Sequence, residues 1–335
     1  MTTNTVSQSD MERVYQAMRT PKKLGFVLSD SQAGIDCCTI FRAGGEWRML
    51  YSLHNGEGPE EYRGYETWMA RSGDLLSWEP MGAVLPQTRC GWDGLQADGG
   101  IALNDTDWGG SYEPGTYEGR YYMSYFGNNL PGYEPDPLSI GIADTDSLLT
   151  ARPWHRQPHP VLTKDDSDAR EFERRTLYKS FIMEDREKSL GARFIMYYNA
   201  KAGPFGIEKI GMAVSDDMVT WRRYGENFVV ESGLPDTGWH IAGDPQIIRF
   251  EDLWVMNYFA AHSFGGSPAA HDTFAVSRDL VNWTSWKGEP LVAPSIAEDR
   301  KFAHKPFLIK WNGRVYHFYC AVGEKGRGLA VAVSE

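Results

Sequence analysis

Several kinds of sequence feature are absent or scarce in this chain of 335 residues. No run of about 18 apolar residues occurs, and the first 25 residues contain no apolar segment of the kind found in secretory signals. The four cysteines, Cys37, Cys38, Cys90 and Cys320, form no CxxC pair, and there is no HExxH motif or Gly-rich phosphate loop. The sequence therefore predicts a cytoplasmic protein with reduced thiols and no membrane span.

Basic residues are also scarce relative to acidic ones. The chain has 34 Lys and Arg against 45 Asp and Glu, a formal net charge of −11 and a sequence pI of about 5.3. This balance argues against nucleic acid or an anionic membrane as a partner. Apolar residues make up 41% of the chain, enough for a folded core, so disorder is excluded as the main state.

Helix signals occur at one place, near the N-terminus. Ser9 and Glu12 have the spacing of a capping box ahead of the segment MERVYQAM, and Pro21 follows it. We expect one helix over about 9–20. The remainder of the sequence has the strand-and-turn composition of an all-β protein.

A repeated pattern runs through the rest of the sequence. An apolar strand ends near an Ala, a polar step with Asp follows, and a Trp closes the unit, as in YETWMARSGDLLSW at 65–78 and DTFAVSRDLVNW at 272–283. Each copy follows a hairpin with an aromatic-rich second strand. The aligned alanines are Ala70, Ala143, Ala213, Ala275 and Ala332. Their spacing is typical of four-stranded propeller blades with their loops.

Five copies predict a five-bladed β-propeller that forms a single domain over residues 1–335. The sequence ends at the third strand of the fifth unit, so another segment must supply the fourth strand. We expect LGFVLS at 24–29 to do so and to close the ring. A pair of β-sandwiches is the alternative fold, but it would not account for five copies of one pattern.

The first strand of each propeller blade lines the central channel, so polar residues at these strand starts should meet at one end of it. The predicted starts carry three carboxylates, one His and several cations. They are Asp36, Ser111 with Glu113, Lys179 with Arg175 before it, Asp244, and the pair His304–Lys305. The residues differ from blade to blade, which favours one asymmetric pocket over a repeated binding site.

This layout resembles family 43 of the glycoside hydrolases and its five-bladed relatives, which act on furanosides, xylosides and related sugars. The resemblance implies a general base at the start of the first blade, where GIDCCTIF places Asp36. It implies a general acid at the start of the fourth blade, where AGDPQII places Asp244. The family's third carboxylate is replaced here by Lys179. A late His serves as acid in some relatives, which makes His304 the rival to Asp244.

The other candidate residues each have a structural alternative. Glu113 is expected to modulate the site or bind substrate, or only to pair with a lysine. Asp98 would bind a sugar hydroxyl or form a turn. Trp92 and Trp108 lie in Gly-rich loops and are candidates for stacking on a sugar. The cations Arg175, Lys179 and Lys305 would bind an anionic sugar or phosphate, or neutralise the carboxylates of the channel.

These features together predict an exo-acting, inverting hydrolase that removes a terminal furanoside- or xyloside-like sugar from an oligosaccharide. Asp36 would be the base, and Asp244 or His304 the acid. The alternatives are a glycoside phosphorylase of similar fold and a glycan-binding propeller without catalysis. No cofactor or metal ligand set is expected, although some relatives hold a structural Ca²⁺ in the channel.

Overall fold

The computed structural model describes residues 5–30, 33–56, 59–203, 206–233, 239–262 and 269–335. Over these residues it contains one α-helix, α1 (Gln8–Met18), two short 3₁₀ helices (Glu60–Tyr62 and Glu171–Glu173) and twenty strands. No helix in these ranges is long and apolar enough to cross a membrane. The predicted all-β class with one N-terminal helix is confirmed.

The first two sheets are four-stranded, antiparallel and built in chain order. One contains β2 (Gly34–Ala43), β3 (Glu46–His54), β4 (Tyr65–Ser72) and β5 (Glu79–Leu85). The next contains β6 (Gln96–Ile101), β7 (Tyr121–Asn128), β8 (Ser139–Thr145) and β9 (His155–Arg156).

The third sheet has eight strands that form two antiparallel groups of four. The first group is β10 (Thr176–Glu184), β11 (Phe194–Ala202), β12 (Ile207–Ser215) and β13 (Arg222–Arg223). The second is β14 (His240–Phe250), β15 (Leu253–His262), β16 (Ala269–Ser277) and β17 (Trp283–Ser285). A short parallel pairing joins the groups, with Ile207 opposite His240 and Glu208 opposite Ile241.

The last sheet joins the first and last strands of the sequence. It contains β18 (Phe302–Trp311), β19 (Arg314–Gly323), β20 (Gly326–Val333) and the N-terminal strand β1 (Lys22–Ser29). β1 runs antiparallel to β20, from Lys22 opposite Val333 to Ser29 opposite Gly328. The predicted pairing of segment 24–29 with the last strand is observed, and it covers an edge that β20 would otherwise expose.

The repeated Asp and Trp belong to a turn that follows the third strand of a sheet. After β4, the Asp74 carboxylate accepts the backbone N–H groups of the second and third residues after it, at 2.8 and 2.7 Å. Leu75 adopts a positive φ of 68°, and its carbonyl accepts the Trp78 indole N–H at 3.1 Å. The same turn recurs at 215–221 and 277–283. The repeat is therefore a structural signature and not a set of sites.

The capping box of α1 lies two residues before its predicted position. Ser7 is the N-cap, and its hydroxyl and backbone N–H exchange hydrogen bonds with Asp10, so the Ser9–Glu12 pair does not form the cap. The helix buries Met11, Val14 and Met18 against apolar residues of β14–β16.

The first strand of the second sheet also differs from its predicted position. It is β6, whereas Ser111 and Glu113 lie in the loop between β6 and β7. The segment QADGGI does not resemble a buried strand, because two glycines interrupt it. Packing explains them: a Cβ at Gly99 would lie 2.7 Å from the Met123 sulfur, and one at Gly100 would lie 2.7 Å from the Thr39 methyl.

Candidate active site

The first strands of the sheets surround one axis. β2, β6, β10, β14 and β18 contact one another in a closed cycle. Four of them lose regular register at one residue or a pair: at Asp36 in β2, Lys179 in β10, Asp244 in β14 and Lys305 in β18. Such bulges re-aim a side chain within a strand.

Three of these residues have backbone conformations that are unusual for non-glycine residues. The φ angles are 39° at Lys179, 55° at Asp244 and 66° at Lys305. Strain of this kind persists only where the surrounding fold enforces it, and it is common at functional sites. Pro245 follows Asp244 inside the bulge, where register with β15 is interrupted and no ladder N–H is required. The Asp-Pro sequence thus marks a bulge that faces the axis.

Asp36 lies fully buried near this axis. Its Oδ2 accepts hydrogen bonds from the Tyr65 hydroxyl at 3.0 Å, the Tyr133 hydroxyl at 3.2 Å and the Lys305 ammonium at 3.0 Å. Burial would raise the pKa of Asp36, but the charges of Arg327, Lys305 and other nearby cations outweigh it and hold the pKa well below its usual range. Asp36 is therefore a buried anion with cationic and phenolic partners.

Asp98 and Lys179 form a second buried pair. Asp98 lies in β6 and not in a loop, and the Lys179 ammonium donates to its carboxylate. The same ammonium lies 2.6 Å from the Cys37 sulfur. Burial disfavours the charged form of Lys179, but the Asp98 carboxylate raises the pKa of this lysine well above its ordinary value. Neither residue lines the cavity described next.

A cavity of about 290 Å³ lies at the start of the inner strands, beside Asp244. One part of its lining is charged, and consists of Glu134, Lys201, Glu208, Asp244, Lys305 and Arg327. Another part is largely apolar, and includes Trp239, Ile241, Phe259, Ala261, Ala270 and Phe302. Such a pocket, with a few converging ionisable groups, is the expected form of a small-molecule site. We call it the carboxylate cavity.

Two of the three carboxylates in the carboxylate cavity have raised pKa values. Burial raises the pKa of Glu208 to about 7 against the opposing charge of Lys201, and the negative charges of Glu134 and Asp244 add to the increase. Burial likewise raises the pKa of Asp244 to about 6, against the charges of Lys305 and Lys179. Carboxyl groups with these pKa values can hold a proton near neutral pH and release it to a leaving group.

The third carboxylate, Glu134, belongs to the loop between β7 and β8. One of its oxygens lies 3.5 Å from the Lys305 ammonium. Neither glutamate was predicted from the sequence. Glu208 had one signal, because it interrupts the apolar pattern of IEKIGMAV at the start of a strand. Glu134 had only its place in a long loop with aromatic and proline neighbours.

His304 lines the carboxylate cavity but is poorly suited to donate a proton. Its Nδ1 lies 3.0 Å from the Cys320 carbonyl, which can only accept, so Nδ1 carries the hydrogen. Burial, together with the charge of Lys305, lowers the pKa of His304 to about 3. The ring is then neutral near pH 7, and Nε2 faces its surroundings as an acceptor.

The structure does not bring four other predicted residues to the carboxylate cavity. Glu113 is exposed and lines a different cavity, near the opposite ends of β10 and β14. Arg175 is paired with Asp136 at 2.6 Å. Trp92 stacks on a core tyrosine, with 5.6 Å between ring centroids, and Trp108 packs against the apolar cluster under α1. The two tryptophans are part of the packing because their loops fold back onto the sheets.

One group of metal-ligand atoms occurs in the described part of the protein. Asp36, His304 and Cys320 place ligand atoms within 4.8 Å of one another. This donor set does not fit Ca²⁺, which takes oxygen ligands, and the Lys305 ammonium already binds the Asp36 carboxylate. The absence of a cofactor and the alternative of a structural Ca²⁺ both stay predictions.

Similar proteins are known from solved structures. A structure of BT0996 described as an RGII complex is 43% identical to this protein, with a TM-score of 0.92 and coverage of 99% of this sequence and 96% of that one. A second, described as "Glycoside hydrolase", is 42% identical with the same TM-score and coverage. A thermostable family-43 glycoside hydrolase is 15% identical, with a TM-score of 0.64 and coverage of 92% and 91%, and this likeness concerns the fold alone. No protein-family model and no curated protein matches the sequence.

Proposed function

Because this protein belongs to the glycoside hydrolases, we propose that it removes a terminal sugar from an oligosaccharide bound in the carboxylate cavity. Glu208 acts as the general acid and Glu134 as the general base. The observation that carries this proposal is the presence of three carboxylates in one cavity of about 290 Å³, two of them with raised pKa values.

The assignment of acid and base follows from exposure to the cavity and from charge. Glycoside hydrolysis needs a protonated carboxyl beside the leaving oxygen and a carboxylate on the opposite side. Glu208, with a pKa of about 7, retains a proton at physiological pH better than Asp244, with a pKa of about 6. Glu134 lies beside the Lys305 ammonium and lines the same cavity. Asp244 is the rival acid.

This assignment revises the role expected for Asp36. That residue is fully buried, does not line the carboxylate cavity, and has a pKa far too low for an efficient base. The resemblance to family 43 therefore holds for the class of enzyme and for the fold, while the proposed base moves from a strand to a loop.

The propeller is proposed to have five blades, with the eight-stranded sheet counted as two. Only two residue pairs join its halves, and the five first strands form one closed cycle. Each blade then has four strands, and β1 completes the last one. This geometry supports a single domain over residues 1–335, as the sequence predicts.

The size of the cavity favours exo action on a short oligosaccharide. A volume of about 290 Å³ is at the lower end of ligand pockets and leaves little room for a polymer to pass through. The 43% identical structure is described as a complex with RGII, so oligosaccharides of RGII are the first substrates to test. We retain inversion as the stereochemical outcome, which NMR of the first-formed anomer would test.

A phosphorylase is the second candidate, and the charge pairing in the cavity disfavours it. Within the described residues, each cation that lines the carboxylate cavity has a carboxylate within 4 Å: Glu208 for Lys201, and Asp36 for both Lys305 and Arg327. The same pairing gives no support for an anionic sugar. Cleavage at full rate in phosphate-free buffer, with only free sugar released, is the expected result. A rate that depends on phosphate and yields a sugar phosphate would reverse the choice.

The acid and the base can be tested with isosteric variants and two leaving groups. Glu208→Gln and Glu134→Gln should each lose roughly 10²- to 10⁴-fold in rate on a natural linkage. A dinitrophenyl glycoside, whose leaving group needs no proton, should restore much of the rate of Glu208→Gln and none of that of Glu134→Gln. Rescue of Asp244→Asn in place of Glu208→Gln would make Asp244 the acid. Loss of less than tenfold in both Glu variants, with folding intact, would refute the site.

A further inference from the structure

Asp36 remains unexplained by a cavity in which it has no surface. It is fully buried, yet one of its oxygens accepts three hydrogen bonds, from Tyr65, Tyr133 and Lys305. A fourth group, the Arg327 guanidinium, lies 3.5 Å away. A buried carboxylate with this many donors is stabilised as an anion, and the anion in turn orders the donors around it.

Two of these donors flank Glu134. Tyr133 precedes it in the sequence, and the Lys305 ammonium lies 3.5 Å from its carboxylate. Tyr133 is 49% exposed overall, but its hydroxyl points inward, donating to Asp36 and accepting from Arg327 at 2.9 Å. An exposed ring with an inward hydroxyl is held by that hydroxyl and not by packing.

The other contacts of this loop hold its backbone on either side of Glu134. The Gln96 amide donates to the carbonyl of Leu130 at 2.9 Å, and the Asn128 amide donates to that of Pro137 at 3.0 Å. Glu134 itself adopts a positive φ of 44°. Its carboxylate position therefore depends on the neighbouring tyrosine and on the lysine, and both bind Asp36.

We propose that Asp36 is a positioning residue, which holds Glu134 in the carboxylate cavity through the Tyr133 hydroxyl and the Lys305 ammonium. This inference rests on the proposed role of Glu134. It assigns Asp36 no contact with substrate. It also accounts for a buried Asp at the position where the resemblance to family 43 implies a base.

A matched pair of tyrosine variants tests this role. Tyr65→Phe and Tyr133→Phe each remove one hydroxyl from the same oxygen of Asp36, but only Tyr133 adjoins Glu134. Tyr133→Phe should lower kcat by about tenfold or more, the factor that a hydrogen bond to a charged acceptor is worth, with KM changed by less than about threefold. Tyr65→Phe should lower kcat by less than about threefold, although its fully buried ring should make it the less stable variant. Equal losses of kcat, or a larger loss for Tyr65→Phe, would overturn the proposal.

Chemical rescue separates positioning from direct catalysis. Azide can enter the space left in Glu134→Gly and displace the leaving group, which yields a glycosyl azide. It should not rescue Asp36→Gly, because that space does not meet the substrate. Formation of glycosyl azide by Asp36→Gly would overturn the proposal, and the tyrosine pair decides it alone if Asp36→Gly does not fold. Full activity of Glu134→Gln would instead remove the proposed base, a result that is distinct from either outcome at Asp36.

Discussion

Replacing Lys201 by Met should move the alkaline limb of the pH profile to higher pH. The Lys201 ammonium lies 3.8 Å from the Glu208 carboxylate, and its charge lowers the pKa of that group. Met keeps the length and apolar stem of the side chain and removes the charge. Without the cation the protonated form of Glu208 is favoured, so its pKa must rise above the present value of about 7.

The distance sets the size of the expected shift. A unit charge at 3.8 Å contributes about 1 kcal/mol at the dielectric constant of water and about 4 kcal/mol at an effective value of about 20. At about 1.4 kcal/mol per pKa unit, this corresponds to a rise of about 0.8 to about 3 units. Lys201 also lies 3.5 Å from Asp136, which shares its charge, so we expect the lower half of that range.

The assay is the pH dependence of kcat/KM, whose alkaline limb reports the pKa of the general acid in the free enzyme. The wild-type limb should fall near pH 7, and that of Lys201→Met near pH 8 or above. Lys209→Met is the matched control, because Lys209 lies on β12 with Glu208 but pairs with Glu231 at 2.9 Å and does not line the cavity. An unmoved limb in Lys201→Met would refute Glu208 as the acid. A wild-type limb near pH 6 that responds to Lys305→Met would favour Asp244.

Two further predictions concern the fold. Deleting residues 1–30 removes α1 and β1 and leaves β20 as an open edge, so the melting temperature should fall and aggregation should increase; an unchanged melting temperature would contradict closure of the last sheet by β1. Asp279→Ala removes the acceptor of the Val281 and Asn282 amides in one repeated turn and should cost about 1–2 kcal/mol in the free energy of unfolding, as loss of a helix cap does. Denaturant unfolding measures this cost, with the exposed Asp165→Ala as control, and equal stability of the two variants would show that the turn does not need its carboxylate.

The architecture could be predicted largely from the sequence, because its signals are short-range. Alternating strands, Asp-centred turns and a closing Trp recur within some dozen residues, and each copy describes one local structure. The pairing of β1 with β20 followed from a count of strands. The second sheet was the exception, since β6 depends on glycines that only its packing against Thr39 and Met123 explains.

The candidate site could be predicted only in part. The positions of Asp36, Lys179, Asp244 and Lys305 near one axis followed from their places at equivalent strand starts. Which carboxylate meets the cavity did not, because exposure depends on residues far apart in the sequence. Tyr133 and Lys305, which are remote from each other in sequence, cover Asp36, while the parallel pairing of β12 with β14 brings Glu208 to the cavity. Sequence alone determined which segments form strands and turns. The tertiary structure decided which acids are buried as anchors and which keep a proton, because burial and neighbouring charge are set by contacts between sheets.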